Sequence, residues 1–159
     1  MSPDLSLAVQ YATPADQLPR WRLRAWVMHA LRGIAQSGGP DAETLRAVVL
    51  TLRLVDADEG QRLNREFRGK DYATNVLTFE YGTDPDGTAS GDVVLCVPVL
   101  HREAAEQGKL LLNHAAHLTV HGVLHALGYD HIDADEAQAM EALEVEILGK
   151  MGIADPYKA

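Results

Sequence analysis

Three histidines beside one helix break constrain this chain most. His121 and His125 lie four residues apart in a segment of helical character, so their imidazoles leave one helix face a turn apart and can bind one ion. Gly128 is the residue type that ends helices in a left-handed conformation, which lets the chain turn back and bring His131 to that ion. Three neutral imidazoles leave a fourth tetrahedral position open, as in catalytic zinc sites. The sequence therefore predicts one open, catalytic metal site formed by His121, His125 and His131, and the imidazole set suits zinc but also nickel, copper or iron.

Two further histidines, His114 and His117, precede this pair at helical spacing. A ligand trio of His117, His121 and His125 is excluded, because positions eight apart on a straight helix are separated by roughly 12 Å. Nitrogens about 2.1 Å from one zinc can be at most ~4 Å apart, so the third ligand has to come from beyond the helix end. His114 and His117 are therefore interpreted as structural residues.

Length and composition fit one compact domain over residues 1–159. The chain has 159 residues, and a hydrophobic content of 47% is enough to bury a continuous core. No segment approaches the roughly 20 apolar residues that span a bilayer, and the first residues lack the pattern of a secretion signal. We therefore expect a cytoplasmic protein with no membrane partner. Cys96 is the only cysteine, which excludes an internal disulfide, and it is expected to fill core space in a strand.

The net charge of −9 argues against strong non-specific binding to a polyanion. The basic residues are clustered, however: one group precedes residue 40 and another follows residue 60, comprising Arg20, Arg22, Arg24, Arg32, Arg62, Arg65, Arg68 and Lys70. From Asp130 to Glu146 every charged group is acidic, and this run is interpreted as a solvated helix face.

Hydrophobic periodicity predicts strands at Leu5–Tyr11 and Val48–Leu54, each followed by a helix. The first helix runs from after Pro19 to about Ala35, and the second is opened by a capping pair, Asp56 and Glu59. Val76–Tyr81 and Asp92–Val97 are predicted to form a hairpin across a strong turn signal at residues 84–87. Pro98 is placed at a strand end or edge.

The rest of the chain is predicted to be helical. A histidine-bearing helix runs from about Lys109 to Leu127, and a last helix is opened by Asp133 and Glu136. This order of elements predicts an α+β fold with one mixed, mainly four-stranded sheet, on which the metal helix packs as in zincins.

The spacing of the histidines resembles the metzincin peptidase signature, in which a glutamate after the first histidine acts as general base. Gly122 occupies that position, and glycine cannot activate a metal-bound water. A metallopeptidase-like hydrolase is therefore kept only as an alternative.

Four sequence blocks in order resemble the bacterial YbeY family over most of the chain. They are residues 63–79, with Arg68 and Asp71, residues 91–96, the triple-histidine segment and residues 140–144. The resemblance implies a metal-dependent, single-strand-specific endoribonuclease that processes ribosomal RNA, including the 3′ end of 16S rRNA, and acts in late ribosome quality control. It also implies that His121, His125 and His131 bind zinc.

By the same resemblance, Arg68 corresponds to the family's functional arginine. A glycine at the position of Gly122 is normal for the family. Its implied partners are single-stranded RNA and ribosomal particles or ribosome-associated proteins. Asn75 departs from the aspartate of many members, which makes a carboxylate proton acceptor at that position doubtful. A second alternative is a non-catalytic assembly factor stabilised by zinc.

The guanidinium of Arg68 can donate two hydrogen bonds to a phosphate and stabilise charge in the transition state. The alternative for Arg68 is a surface ion pair with Glu66 or Asp71. His121 and Arg68 are thus the predicted catalytic residues. Phe67, Tyr72 and Tyr129 are candidates for stacking on unpaired bases, although Phe67 fits a core position equally well.

Overall fold

The computed structural model describes residues 3–37, 44–129 and 133–158. Within these ranges the strands are β1 (Asp4–Tyr11), β2 (Ala47–Val55), β3 (Val76–Thr83) and β4 (Thr88–Cys96). The helices are α1 (Arg20–Gln36), α2 (Ala57–Arg68), α3 (Val97–Gln107), α4 (Leu111–Ala126) and α5 (Ala134–Lys150). None of the helices in these ranges is long and apolar enough to cross a membrane.

The four strands form one mixed sheet in the order β1-β2-β4-β3. β1 pairs in parallel with β2, and β2 pairs in parallel with β4. β3 is an edge strand that pairs antiparallel with β4, with Val76 opposite Leu95 and Phe79 opposite Asp92. The predicted α+β fold and the predicted hairpin are therefore confirmed.

Local signals in the sequence explain where the helices begin. The side chain of Asp56 accepts a hydrogen bond from the Glu59 backbone N–H at 2.9 Å, and Asp133 accepts one from Glu136 at 2.8 Å. Each bond satisfies one of the backbone donors that the first helical turn leaves unpaired. Both predicted capping pairs are thus confirmed.

One boundary was predicted incorrectly. Val97 was assigned to a strand and Pro98 to its end, but β4 stops at Cys96 and α3 starts at Val97, with Pro98 in its first turn. Proline is tolerated there because the N–H that it lacks would have no helical acceptor. Cys96 is buried in the last position of β4, as predicted.

The main core lies between one face of the sheet and the helices α1, α4 and α5. α4 approaches this face closely: a methyl group added at Gly91 of β4 would lie 2.9 Å from Cβ of Ala126. A smaller core packs on the opposite face and includes Val55, Leu77 and Val94. The edge strand β3 therefore separates a face covered by α4 from a face that is only partly covered.

Candidate metal centre

His121 and His125 lie on the face of α4 that is directed towards the edge strand β3. Their ring centroids are 4.7 Å apart, and both side chains line one open cleft of about 590 Å³. The other walls of this cleft, named here the metal cleft, come from residues 74–79 and from Phe67 and Arg68 at the end of α2. The structure thus brings three of the predicted site residues to one cavity.

The third predicted ligand, His131, lies outside the described residues. The helix break that precedes it is as predicted: α4 ends at Ala126, and Gly128 has a φ of 100°. The backbone N–H of Gly128 donates to the carbonyl of His125 at 3.0 Å. An L side chain rarely adopts this conformation, which explains a glycine at this turn.

Glu144 of α5 is the residue that orients His121. Its carboxylate is fully buried, and its Oε1 accepts a hydrogen bond from Nδ1 of His121 at 2.7 Å. The same oxygen lies 3.4 Å from Nε2 of His117, and the Tyr157 hydroxyl donates to Oε2 at 2.7 Å. With Nδ1 of His121 donating to a carboxylate, Nε2 becomes the nitrogen that a metal would take.

Burial alone raises the pKa of Glu144, but hydrogen bonds from His117, His121 and Tyr157 outweigh it and lower the pKa to about 2. Burial and the neighbouring Glu144 carboxylate raise the pKa of Tyr157. Tyr157 therefore stays neutral and donates, while Glu144 stays ionised and accepts. The ionised Glu144 carboxylate therefore accepts the hydrogen bond from Nδ1 of His121.

This pKa predicts how stability depends on pH. A carboxyl group with a pKa of about 2 when folded and 4.5 when unfolded stabilises the fold above pH 4.5. That contribution, about 3 kcal/mol, is lost as the pH falls from 4.5 to 2. Urea unfolding of the metal-free protein should therefore show a stability difference between the wild type and Glu144→Gln that shrinks over this range.

The matched control for this measurement is Glu141→Gln, because Glu141 lies on the same helix but is exposed. The difference in the free energy of unfolding between Glu141→Gln and the wild type should hardly change between pH 4.5 and pH 2. A Glu144→Gln difference that stays constant from pH 6 to pH 2 would contradict the low pKa.

His117, His121 and Glu144 form a group that could hold a metal ion, with ligand atoms within 4.8 Å of one another. This set differs from the predicted one, which interpreted His117 as structural. Two of its atoms, Nδ1 of His121 and Oε1 of Glu144, are already at hydrogen-bond distance, whereas ligands of one tetrahedral zinc are roughly 3.4 Å apart. An ion there would also need the Glu144 carboxylate, which has no solvent contact, as a ligand.

His114 is buried on the same helix and serves a different contact. Its Nε2 lies 2.9 Å from Oε1 of Glu103 in α3, and the side-chain amide of Asn75 donates to the same oxygen at 3.0 Å. Asn75, which departs from the aspartate of many family members, therefore places its carboxamide in the metal cleft, directly beside the carboxylate of Glu103. His114 connects α4 to α3, in agreement with its interpretation as structural.

Gly122 has a packing reason to be glycine. A Cβ atom there would lie 2.7 Å from Cγ1 of Val93 and 3.2 Å from Cγ2 of Val76. Val93 is fully buried on β4 and cannot move aside cheaply. The position that carries glutamate in metzincins therefore faces the sheet here and has no room for a side chain.

Gly122→Ala is accordingly expected to lower the free energy of unfolding by about 1–3 kcal/mol, the usual cost of overpacking. Urea unfolding checks this. Gly149→Ala is the control, because Gly149 is also helical but its added methyl group would meet nothing within 4 Å. That variant should be as stable as the wild type or slightly more stable, and an equal loss in both variants would contradict the packing argument.

Arg68 is exposed at the rim of the metal cleft. Across the described parts of the chain it forms no ion pair with Glu66 or Asp71; instead Nη1 of Arg65 lies 3.8 Å from Asp71. Arg68 therefore lines a cleft that is also lined by His121 and His125. Of the three candidate stacking residues, Phe67 lines this cleft and is 62% exposed, so it is not a core residue.

Glu144, Tyr157 and Glu103 were not predicted as site residues. For Glu144 a signal exists in the sequence, since it lies in the apolar stripe of Met140, Leu143 and Ile147 on α5. A charged residue in such a stripe is expected to have a partner. Tyr157 and Glu103 carry no comparable signal, because their contacts depend on how distant segments meet.

Fold and site together define an α+β protein with a candidate metal centre on a helix above the edge of a mixed sheet. A family model described as Endoribonuclease YbeY matches residues 9–152. The endoribonuclease YbeY of Bordetella pertussis is 66% identical over 159 residues, which cover 100% of this chain and 99% of that protein. That of Paraburkholderia phymatum is 52% identical over 163 residues, covering 99% and 98%.

The chain belongs to the endoribonuclease YbeY family. Among solved structures, the solution structure of a Thermotoga maritima protein aligns with a TM-score of 0.56 at 22% identity, covering 97% of this chain and 100% of that one. At this identity the likeness supports the fold alone. The predicted family is confirmed.

Proposed function

We propose that the chain is a zinc-dependent endoribonuclease that cuts single-stranded RNA, with residues 1–159 acting as one domain. The observation that carries the proposal is that His121, His125 and Arg68 line the same open cleft. Membership of the endoribonuclease YbeY family supports RNA as the substrate and an RNA-cleaving hydrolase as the enzyme class.

The metal ligands in this proposal are His121, His125 and His131. The donor chemistry of the two described histidines fits zinc, because neutral imidazoles are common zinc ligands and Glu144 fixes the tautomer of His121. Zinc bound there would act as a Lewis acid towards a phosphoryl oxygen. The ligand set and the identity of the ion stay proposals.

The chain's own side chains would position the RNA. Arg68 would bind the scissile phosphate with two parallel N–H donors and oppose the charge that develops during cleavage. Asn75, whose Nδ2 is held by Glu103, would present its side-chain oxygen to the metal cleft as an acceptor. Both residues line the metal cleft together with His121 and His125.

The biological role that we propose is processing of ribosomal RNA, including maturation of the 16S 3′ end, and late ribosome quality control. The net charge of −9 supports a dependence on docking to ribosomal particles or ribosome-associated proteins, because non-specific attraction to RNA is weak. The cytoplasmic location stays a prediction.

One experiment tests this function against its closest rival. Metal-loaded protein should cut an unstructured RNA and leave the same sequence in a duplex intact, and chelation should abolish cleavage while circular dichroism stays unchanged. The group of His117, His121 and Glu144, in which Glu144 is buried, favours the rival, a non-catalytic protein that zinc stabilises. In that case the protein cuts no RNA, and chelation unfolds the region around α5.

A peptidase function has less support. Its general base would have to stand at Gly122, where a side chain has no room. Cleavage of a casein substrate without cleavage of RNA would nevertheless overturn the proposal.

A further inference from the structure

A second cleft lies on the partly open face of the sheet, on the other side of the edge strand. It has a volume of about 350 Å³ and is named here the aromatic cleft, after Phe67, Phe79 and Tyr81 in its lining. Phe67 and Phe79 line the metal cleft as well. The two clefts therefore share these two aromatic residues.

Two of the three rings are largely exposed, and the third, Phe79, is partly buried. Phe67 is 62% exposed and Tyr81 is 64% exposed, which is unusual for large aromatic residues. Phe67 meets Phe79 edge to face, with centroids 5.2 Å apart. The hydroxyl of Tyr81 donates to Asp92 at 2.6 Å, which holds its ring against the sheet.

The charges of the aromatic cleft exclude a phosphate. Its only cation, among the residues that the structure describes there, is Arg53. The Arg53 guanidinium is paired with both carboxylate oxygens of Glu59, at 2.6 and 3.1 Å. Asp92 adds a negative charge beside Tyr81. A neutral planar ligand fits this surface, whereas an anion would be repelled.

The metal cleft, unlike the aromatic cleft, has an arginine that can bind a phosphate. Arg68 follows Phe67 directly in α2 and lines the metal cleft but not the aromatic one. A phosphate at Arg68 therefore lies next to the shared rings of Phe67 and Phe79. In a single RNA strand the base beside that phosphate could turn over β3 towards Tyr81.

We propose that the aromatic cleft binds an unpaired nucleobase adjacent to the scissile phosphate. The inference rests on the proposed endoribonuclease function and names the subsite that selects single strands. A base within a duplex is paired and stacked and cannot reach these rings, whereas an unpaired base can stack on aromatic side chains whatever its sequence.

The test uses a short single-stranded 2′-O-methyl RNA with one 2-aminopurine, incubated with the metal-loaded full chain and checked for integrity on a gel. Stacking of the fluorescent base should quench its emission. Tyr81→Ala and Phe67→Ala should weaken binding by about 5- to 100-fold and remove the quenching. Tyr81→Phe keeps the ring but loses the hydrogen bond to Asp92, and it should retain most of the binding and the quenching.

Two controls separate this subsite from general RNA binding. Trp21→Ala removes an aromatic residue on α1 that is 66% exposed and lines neither cleft, and it should bind like the wild type. An oligonucleotide that lacks the base at the 2-aminopurine position should bind the wild type and Tyr81→Ala equally weakly. Circular dichroism and thermal unfolding show whether each variant folds.

Unchanged binding and quenching in folded Tyr81→Ala and Phe67→Ala would overturn the subsite and point to a protein partner at this face. An equal loss of binding and quenching in Trp21→Ala would overturn the subsite as well. The proposed function fails separately: the wild type would then leave unmodified single-stranded RNA uncut, whatever the fluorescent oligonucleotide shows.

Discussion

Replacing His125 with alanine is expected to abolish both metal binding and RNA cleavage. His125 lines the metal cleft beside His121, and its ring centroid lies 4.7 Å from that of His121. Removing one of three imidazoles from an open zinc site takes away a protein ligand that the ion needs for stable coordination. Elemental analysis of the purified variant and an RNA cleavage assay on the same preparation check this. Cleavage should fall to the level of the chelated wild type.

The control His117→Ala discriminates between the two donor sets. His117 belongs to the group with His121 and Glu144 but does not line the metal cleft. If His121, His125 and His131 bind the ion, His117→Ala should keep one metal per chain. Its activity should fall by no more than about 10-fold, the lower range for a residue outside the coordination sphere. His131→Ala should behave like His125→Ala.

The opposite result would identify the group of His117, His121 and Glu144 as the metal site. His117→Ala would then lose the ion while His125→Ala retained it, and the open catalytic centre would be wrong. Exposed His101 on α3 provides a neutral comparison, because its replacement should leave both metal content and activity unchanged. His121→Ala is less informative here, since His121 belongs to both sets.

The fold could be read largely from local signals. Alternating apolar residues define β1 and β2, and side-chain capping by Asp56 and Asp133 defines two helix starts. These features involve residues within four positions of one another, so the sequence displays them directly. The strand order and the close approach of α4 at Gly122 depend on long-range packing and were not predicted.

In the candidate site too, short-range spacing predicts some contacts and not others. The spacing of His121 and His125 on one helix face predicts that they lie together, and the structure shows that they do. The contact of His121 with Glu144 joins residues 23 positions apart, and that of Asn75 with Glu103 joins residues 28 apart. Such contacts follow from how α5 and α3 dock, which no short spacing encodes.

Arg68→Ala is expected to reduce kcat for cleavage of single-stranded RNA by about 10²- to 10³-fold, the usual cost of removing a donor aimed at developing charge. Arg68 is exposed on the cleft rim, so its loss should leave the free energy of unfolding nearly unchanged. Steady-state kinetics with a fluorescent RNA separate kcat from KM. A change confined to KM would show that Arg68 only binds RNA in the ground state.

Two variants of α2 provide the controls for Arg68. Arg62→Ala removes an exposed arginine that does not line the metal cleft, so it should weaken RNA affinity slightly through net charge and leave kcat unchanged. Arg68→Lys keeps the charge but loses the two parallel donors, and it should recover only a small part of kcat. Full activity in Arg68→Lys would mean that charge alone suffices, and equal defects in Arg62→Ala and Arg68→Ala would reduce the role of Arg68 to electrostatic attraction.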